Sequence, residues 1–168
     1  MALQTINSSL IGANLNASDS TALFALGTVA DTTDGGRYQY VEATSTLITG
    51  ALVLILPTGT AKVLTTAQLT GGSQGQVIAA AQAQINQSQF GWVAMQGRNL
   101  YVLCTGTVTA LASGGAAFSA NSGRLQNAAA VGVGATAFGI WITTSASLAA
   151  ASVARATLTW PQSVHVMS

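Results

Sequence analysis

A serine flanked by glycines is the first candidate for chemistry in this chain. Residues 71–75 read GGSQG, which matches the G-x-S-x-G nucleophile elbow of α/β-hydrolases. In that fold a carboxylate follows the serine along the chain and orients a later histidine, which takes the serine proton. His165 follows Ser73, but the last acidic residue of the chain is Glu42. We therefore expect a glycine-rich turn at Ser73 and no nucleophile.

A second glycine motif fails for a similar reason. Residues 132–137 read GVGATA and match the dinucleotide fingerprint G-x-G-x-x-[GA]. That fingerprint needs a helix directly after it and an acidic residue about 20 positions further on. A strand-like sequence follows instead, and no acidic residue lies downstream. We interpret this segment as a turn.

The remaining titratable groups are too few for acid–base or metal chemistry. The chain has one histidine, one cysteine and four acidic residues, all four of the latter at or before Glu42. A closed metal site takes about four such ligands, and an acid–base pair needs two groups in proximity. Cys104 lies in the apolar run LYVLCTG, which indicates a buried structural thiol. We predict a protein that is not an enzyme and has no cofactor or metal.

Charge is scarce and scattered along the chain. Charged residues make up 5% of the 168 residues, against roughly 25% in an ordinary soluble domain. The five basic residues form no cluster, so no nucleic-acid interface is expected; they are Arg37, Lys62, Arg98, Arg124 and Arg155. A free monomer with so few charges has poor colloidal solubility. We infer that neighbours in an assembly cover much of its surface.

Short apolar or alternating runs separated by turn residues run through the chain after residue 36. They predict strands at 37–44, 51–56, 61–66, 75–82, 90–97, 99–111, 116–120, 124–127, 137–144 and 156–160, and an edge strand at 163–167. Residues 147–154 fit a short helix or a loop equally well. The fold class is therefore all-β, a small antiparallel β-barrel or sandwich.

The hairpin at residues 75–97 is the predicted packing unit around which the other strands are organised. Alternation places Phe90, Trp92 and Ala94 on one face of its second strand, and Val93 and Met95 on the other. A buried ring of the size of Trp92 contributes a few kcal/mol, so Trp92 is the predicted apolar anchor.

The first 34 residues are polar and small, with apolar residues at irregular spacing. A turn-rich run, DTTDGG at 31–36, separates them from the β pattern. We divide the chain into an extended N-terminal arm, 1–34, and a β domain, 35–168. The arm is expected to lie on a partner subunit; an ordinary first hairpin of the same domain is the alternative. Its predicted contact residues are Leu3, Ile6, Leu10 and Leu15.

Neither a membrane span nor a secretory signal is expected. The uncharged segment 125–154 is rich in Gly, Ser and Thr and has few large aliphatic residues. The N-terminal decapeptide lacks a basic region and a long apolar region.

The run from Arg37 to Gly97 resembles the small capsid decoration, or cement, proteins of tailed bacteriophages. The shared segments are YQYV at 38–41 with AT at 43–44, LTTA at 64–67, GQV at 75–77 and FGWV at 90–93. LYVL at 100–103 and SGRL at 122–125 fit more loosely. About 60 residues are covered well, and none of them forms a chemical motif.

The resemblance implies a non-enzymatic virion protein that binds the outer surface of a capsid and braces it. Its partner would be the major capsid protein, and it would act as a homo-oligomer, commonly a trimer. It would be made in the host cytoplasm. The strand aromatics are predicted core or subunit-interface residues, and Tyr38 and Tyr40 complete the predicted contact set.

Two other functions stay open at this point. One is a different phage structural role, as a tail, head-fibre or head–tail connector component. The other is a ligand- or carbohydrate-binding β module that uses Trp92, Trp141 or Trp160.

Overall fold

The fold is all-β. The computed structural model describes residues 13–65, 77–104, 116–118, 123–126, 136–137, 140–143 and 152–159. These ranges contain no helix, and hence none that is long and apolar enough to cross a membrane. The strands are β1 Ser18–Asp19, β2 Val29–Asp31, β3 Arg37–Ala43, β4 Leu52–Ile55, β5 Thr60–Val63, β6 Val77–Ala81, β7 Phe90–Cys104, β8 Ala116–Phe118, β9 Leu125–Gln126, β10 Thr136–Ala137, β11 Ile140–Ile142 and β12 Ser152–Leu158.

Five of these strands close into a barrel in the order β3-β5-β4-β6-β7. The barrel closes because β7 pairs antiparallel with β3, with Tyr40 opposite Trp92. The junction of β3 with β5 is parallel, and the other four junctions are antiparallel. The predicted all-β class and the barrel are thus confirmed, with one parallel junction that alternation cannot reveal.

Small aliphatic side chains fill the barrel. On β5, Ala61 is fully buried while Lys62, the next residue, is on the outward face, which identifies the inward side of the strand. The matching positions of the other strands complete one buried cluster: Val41, Ala43, Val53, Ile55, Ala79, Ala81, Val93 and Met95. A five-stranded barrel has a narrow interior, and these short side chains fit it.

The outer face of the same strands carries a second, larger core. Trp92, Tyr38 and Tyr40 lie here, with exposures of 1%, 0% and 0%. Residues of β11 and β12 and of the second half of β7 pack against them. The predicted division of the second hairpin strand into two faces is confirmed, and both faces are buried.

Strand β7 joins the barrel to the outer layer. Sequence patterning predicted two strands here, ending and restarting around Gly97, whereas the structure has one strand of 15 residues. Gly97 has φ +151° and Asn99 has φ +57°, and the pairing with β12 shifts register between Gly97 and Leu100, so the strand is irregular here without ending. After this irregularity, Tyr101 pairs with Arg155 of β12.

The helix considered for residues 147–154 is not supported by the part of it that the structure describes. Residues 152–154 begin strand β12, which continues to Leu158 and pairs with β7 and β11. Alanine and valine fit either state, and tertiary pairing with β7 decides for the strand.

The described part of the predicted arm lies against the barrel. Strand β1 pairs with β7, and β2 pairs with β3, so the two do not form a hairpin with each other. Leu15 is 4% exposed, and the ring of Phe24 lies 5.3 Å from the ring of Trp92, centroid to centroid. Residues 13–34 therefore cover the barrel's outer face, and residues 1–12 lie outside the described part.

A buried glutamine replaces a missing strand neighbour beside the second half of β7. Strand β6 ends at Ala81 and does not extend alongside Tyr101. The side chain of the next residue, Gln82, forms the hydrogen bonds with the Tyr101 backbone that a neighbouring strand would form. Tyr101 N–H donates to Gln82 Oε1 at 2.9 Å, and Gln82 Nε2 donates to Tyr101 O at 3.1 Å. The amide thus satisfies both backbone groups of Tyr101 on this side.

Replacing Gln82 by leucine is expected to lower the free energy of unfolding by about 1–3 kcal/mol, because the Tyr101 N–H and C=O lose their partners in a partly buried position. Denaturant unfolding measures this loss. Gln84→Leu is the matched control, since Gln84 is exposed, and its effect should stay within about 0.5 kcal/mol. Equal effects for the two variants would contradict the pairing.

Candidate functional site

Residues 71–75, residues 132–135 and His165 lie outside the described part of the chain, whereas Thr136 and Ala137, the last two residues of the second glycine motif, form strand β10 and pair with β8. The predicted turn is therefore wrong at residues 136–137, and for the other residues of both motifs it stays a prediction. Among the residues that the structure does describe, no group of three or more His, Cys, Asp or Glu side chains could hold a metal ion.

Cys104 is a buried structural thiol, as its apolar context predicted. It is fully buried in the outer core, and its Sγ lies 3.8 Å from Val102 O. Burial raises the pKa of the Cys104 thiol to about 11, and a hydrogen bond from the Ala154 backbone lowers it in part. A protonated, enclosed thiol is neither a nucleophile nor a metal ligand at neutral pH.

We expect native Cys104 to react with a thiol reagent at about pH 8 roughly a hundredfold more slowly than in the unfolded chain, since a rise in pKa from 9.0 to about 11 lowers the thiolate fraction by that factor. With a thiol reagent that releases an absorbing leaving group, absorbance measures the reaction rate in the native and in the unfolded protein. In the window from pH 9 to about 11 the unfolded chain holds fewer protons at this site than the native one. This thiol therefore makes the protein less stable as pH rises through that window. Equal native and unfolded rates would contradict the burial.

Tyr40 holds the N-terminal segment to the barrel. Its hydroxyl accepts a hydrogen bond from Leu23 N–H at 3.1 Å and donates to Asp19 Oδ2 at 3.4 Å. Burial raises the pKa of Tyr40; the Leu23 N–H lowers it, and the Asp19 carboxylate raises it further. The hydroxyl is thus a structural donor and acceptor inside the fold.

The predicted contact residues are corrected where the structure describes them. Leu15, Tyr38 and Tyr40 belong to the outer core and are at most 4% exposed, so they are not on a capsid or subunit contact surface of this fold. Strand alternation identified a face for both tyrosines, but it could not show that the N-terminal segment covers that face. Leu3, Ile6 and Leu10 lie outside the described residues.

Trp92 is not available as a ligand platform. It is 1% exposed, with the rings of Phe24 and Tyr40 at centroid distances of 5.3 and 5.1 Å. A sugar stacks on an exposed aromatic face, and this ring has none. Trp160 lies outside the described residues, and the structure describes only the backbone of Trp141.

The surface feature that sequence reasoning missed is an apolar area on the N-terminal segment, with acidic residues around it. Leu23 is 60% exposed, and Leu26 and Val29 are each 38% exposed. Asp19 and Leu23 are neighbours, since both bind the Tyr40 hydroxyl, and Asp31 shares one face of β2 with Val29. We call these five residues the acidic patch. The irregular spacing of the leucines was its only signal in the sequence.

A second exposed apolar area lies beside the far half of β7. Val153 is 43% exposed and pairs with Leu103; Leu103 N–H donates to Gly50 O at 2.7 Å. Ile48, 39% exposed, belongs to the turn that contains Gly50. The β12 strand with Val153 and the turn with Ile48 thus lie on either side of Leu103.

Arg155 supplies a positive charge on the same face of β12 as Val153. Its guanidinium lies 3.9 Å from the centroid of the Tyr101 ring, and its Nη2 donates to Tyr101 Oη at 2.8 Å. These contacts hold the charge in place at the surface. We call Ile48, Tyr101, Val153 and Arg155 the basic patch.

These two patches contain all the exposed large hydrophobic side chains that the described residues have. Their chemistry is that of contact surfaces, with exposed apolar side chains beside charged ones, and Asp31 of the acidic patch is ion-paired with Arg37 at 3.2 Å. No protein-family model matches the chain, and no curated protein matches it either.

Proposed function

We propose that this protein is a non-enzymatic structural component of a phage virion that binds the outer surface of the capsid and stabilises it. The observation that carries the proposal is the nature of the protein surface. The whole chain has only nine charged side chains, and the described residues expose two apolar patches. Such a surface favours contact with other proteins, because a free monomer with few charges and exposed apolar patches has poor solubility. The resemblance of residues 37–97 to decoration proteins indicates that the assembly is a phage capsid.

The partner in this proposal is the major capsid protein, and the protein itself acts as a homo-oligomer, with a trimer favoured. Each copy would make modest contacts on the exterior of the shell. Several linked copies on a repeating lattice bind far more tightly than one, because the second and third contacts form within one complex. The buried double-layered core would give each copy the rigidity that bracing requires.

Sedimentation of the purified protein with undecorated phage capsids tests the proposal. We expect it to pellet with the capsids at a saturable, fixed ratio to shell subunits, while the protein alone stays in the supernatant. A capsid already decorated to saturation is the matched control and should bind no more. Absence of binding to any capsid surface would overturn the proposal, and formation of tubes or rings by the protein alone would favour a tail or connector role.

The predicted role of the arm in capsid binding is tested by a deletion that is shorter than the whole arm, residues 1–34. Removing residues 1–30 would strip Leu15, Phe24 and Ala30 from the outer core and destabilise the domain. Removing residues 1–12 leaves every described contact in place. We expect that deletion to weaken capsid binding with unchanged thermal unfolding; unchanged binding would remove the arm from the proposal.

A further inference from the structure

The first part of the described chain crosses the outside of the barrel. We call residues 13–26 the strap, because they run through β1 and then over the outer face of β7 and β3. The residues that follow are fixed to the barrel: Gly27 N–H donates to Tyr40 O at 2.9 Å, and Tyr40 N–H donates to Thr28 O at 2.8 Å. The strap therefore ends where backbone pairing with β3 begins.

We propose that the strap opens as a unit while the barrel stays folded, and that its opening uncovers the rings of Tyr40 and Trp92. The strap is thus a movable cover over an aromatic surface of the barrel. This inference goes beyond the proposed function and does not rest on capsid binding.

Little apolar surface holds the strap to the barrel. Leu15 is 4% exposed and Phe24 is partly buried, whereas Leu23 and Leu26 are 60% and 38% exposed. The barrel strands, in contrast, bury side chains on both of their faces. The free energy that holds a segment in place increases with the apolar area that it buries. Opening of the strap should therefore cost less than unfolding of the barrel.

The attachments at the centre of the strap converge on one side chain. The Tyr40 hydroxyl accepts from Leu23 N–H at 3.1 Å and donates to Asp19 Oδ2 at 3.4 Å. The ring of Phe24 lies 5.3 Å, centroid to centroid, from the rings of both Tyr40 and Trp92. Strand β1, which precedes these attachments, is two residues long. Because the attachments share one point, loss of one weakens the others, and the strap opens as a unit.

A glycine of the barrel allows the end of the strap to approach closely. Gly59 lies in the turn between β4 and β5 and has φ +81°. A Cβ on Gly59 would lie 2.7 Å from Leu26 Cβ and 3.2 Å from Leu26 C. No side chain fits in that space, so the closed position of the strap requires glycine here.

Native-state hydrogen exchange at two amides tests the proposal, under conditions in which the exchange rate reports the opening equilibrium. The Leu23 N–H belongs to the strap and is bonded to Tyr40 Oη, and the Ala81 N–H belongs to the barrel and donates to Ala51 O at 3.0 Å. In the wild type we expect Leu23 to be protected at least about a hundredfold less than Ala81, because strap opening leaves the barrel folded.

Two substitutions separate strap opening from barrel unfolding. Val53→Ala removes methyl groups inside the barrel, on the face of β4 that the strap does not cover. Ala81 protection should fall at least about tenfold in this variant, and Leu23 protection should stay within about twofold. Phe24→Ala should lower the protection of both amides at least about tenfold, because strap opening and unfolding both disrupt the closed strap. Equal losses at both amides in Val53→Ala, or unchanged Leu23 protection in Phe24→Ala, would overturn the inference.

Gly59→Ala and Gly35→Ala give a second test by the same measurement, which also decides the question if Val53→Ala does not fold. Gly35 has the same φ of +81°, and no atom lies within 4 Å of the position of its Cβ, so its alanine variant carries the backbone strain alone. That strain persists when the strap opens, whereas the clash with Leu26 disappears. We expect Leu23 protection to fall at least about tenfold in Gly59→Ala and to stay within about twofold in Gly35→Ala. Equal Leu23 protection in the two variants would contradict the proposal.

Discussion

Replacing Trp92 by alanine is expected to lower the free energy of unfolding by about 3–5 kcal/mol, because Trp92 is the largest of the fully buried side chains that the structure describes. Trp92 is 1% exposed and belongs to the outer core. Its ring lies against those of Phe24 and Tyr40, which come from the N-terminal segment and from β3. The alanine variant loses the buried ring and leaves a cavity that rigid strands on several sides cannot fill.

Chemical denaturation followed by far-UV circular dichroism measures this loss without reliance on the tryptophan signal. Trp92→Phe is the matched control, because it keeps an aromatic ring and should cost clearly less. An alanine variant as stable as the phenylalanine variant would show that the site collapses around the gap, against our expectation.

Gly50→Ala is the second change with a large expected effect, a loss of several kcal/mol from about 1–2 kcal/mol of backbone strain plus a clash with the main chain. Gly50 has φ +82°, and a Cβ there would lie 2.9 Å from Leu103 N and 3.2 Å from Val102 C. The Leu103 N–H to Gly50 O hydrogen bond, 2.7 Å long, is what holds the turn against β7. Relief of the clash must lengthen or break that bond.

Gly35→Ala is an unusually close control for this prediction. Gly35 has φ +81°, almost the same backbone conformation, but no atom lies within 4 Å of the position its Cβ would take. It therefore reports the backbone strain alone, about 1–2 kcal/mol. Thermal unfolding of the two variants should differ by the cost of the clash. Similar midpoints for both would show that β7 yields easily to the added methyl group.

Both predictions concern the same structural feature, the closeness with which separate parts of the chain approach β7. This strand takes part in the barrel through its first half and in the outer layer through its second. The basic patch also lies on that second half, and the acidic patch is tied to β1, which pairs with Phe90 and Gly91. Both exposed apolar patches and the stability of the fold thus depend on one strand.

Local sequence carries enough information for the class of fold. Alternation in RYQYVEA placed the tyrosines on one face of β3 and Val41 and Ala43 on the other, as the structure confirms. The anchor role of Trp92 and the buried state of Cys104 were likewise predictable, because a large ring or a thiol in an apolar strand has nowhere favourable to go but the interior.

Sequence reasoning failed where burial depends on residues far away in the chain. Leu15, Tyr38 and Tyr40 were expected at a contact surface, and the fold buries them because residues 13–24 return across the barrel. Leu23 and Leu26 have the same residue type as Leu15, yet they remain exposed. Their difference is one of position on the barrel, which hydrophobicity along the chain does not encode.

By itself the sequence determined that this protein has strands and a substantial apolar core, and that its four acidic residues all lie at or before Glu42. Those properties follow from residue type and short-range periodicity. Only the tertiary structure decided that the barrel closes through the β3–β7 pairing, that β7 continues past Gly97, and that the exposed apolar side chains gather into two patches. Each of these depends on pairing between distant segments, and the energy of such pairing arises only when the chain brings them together.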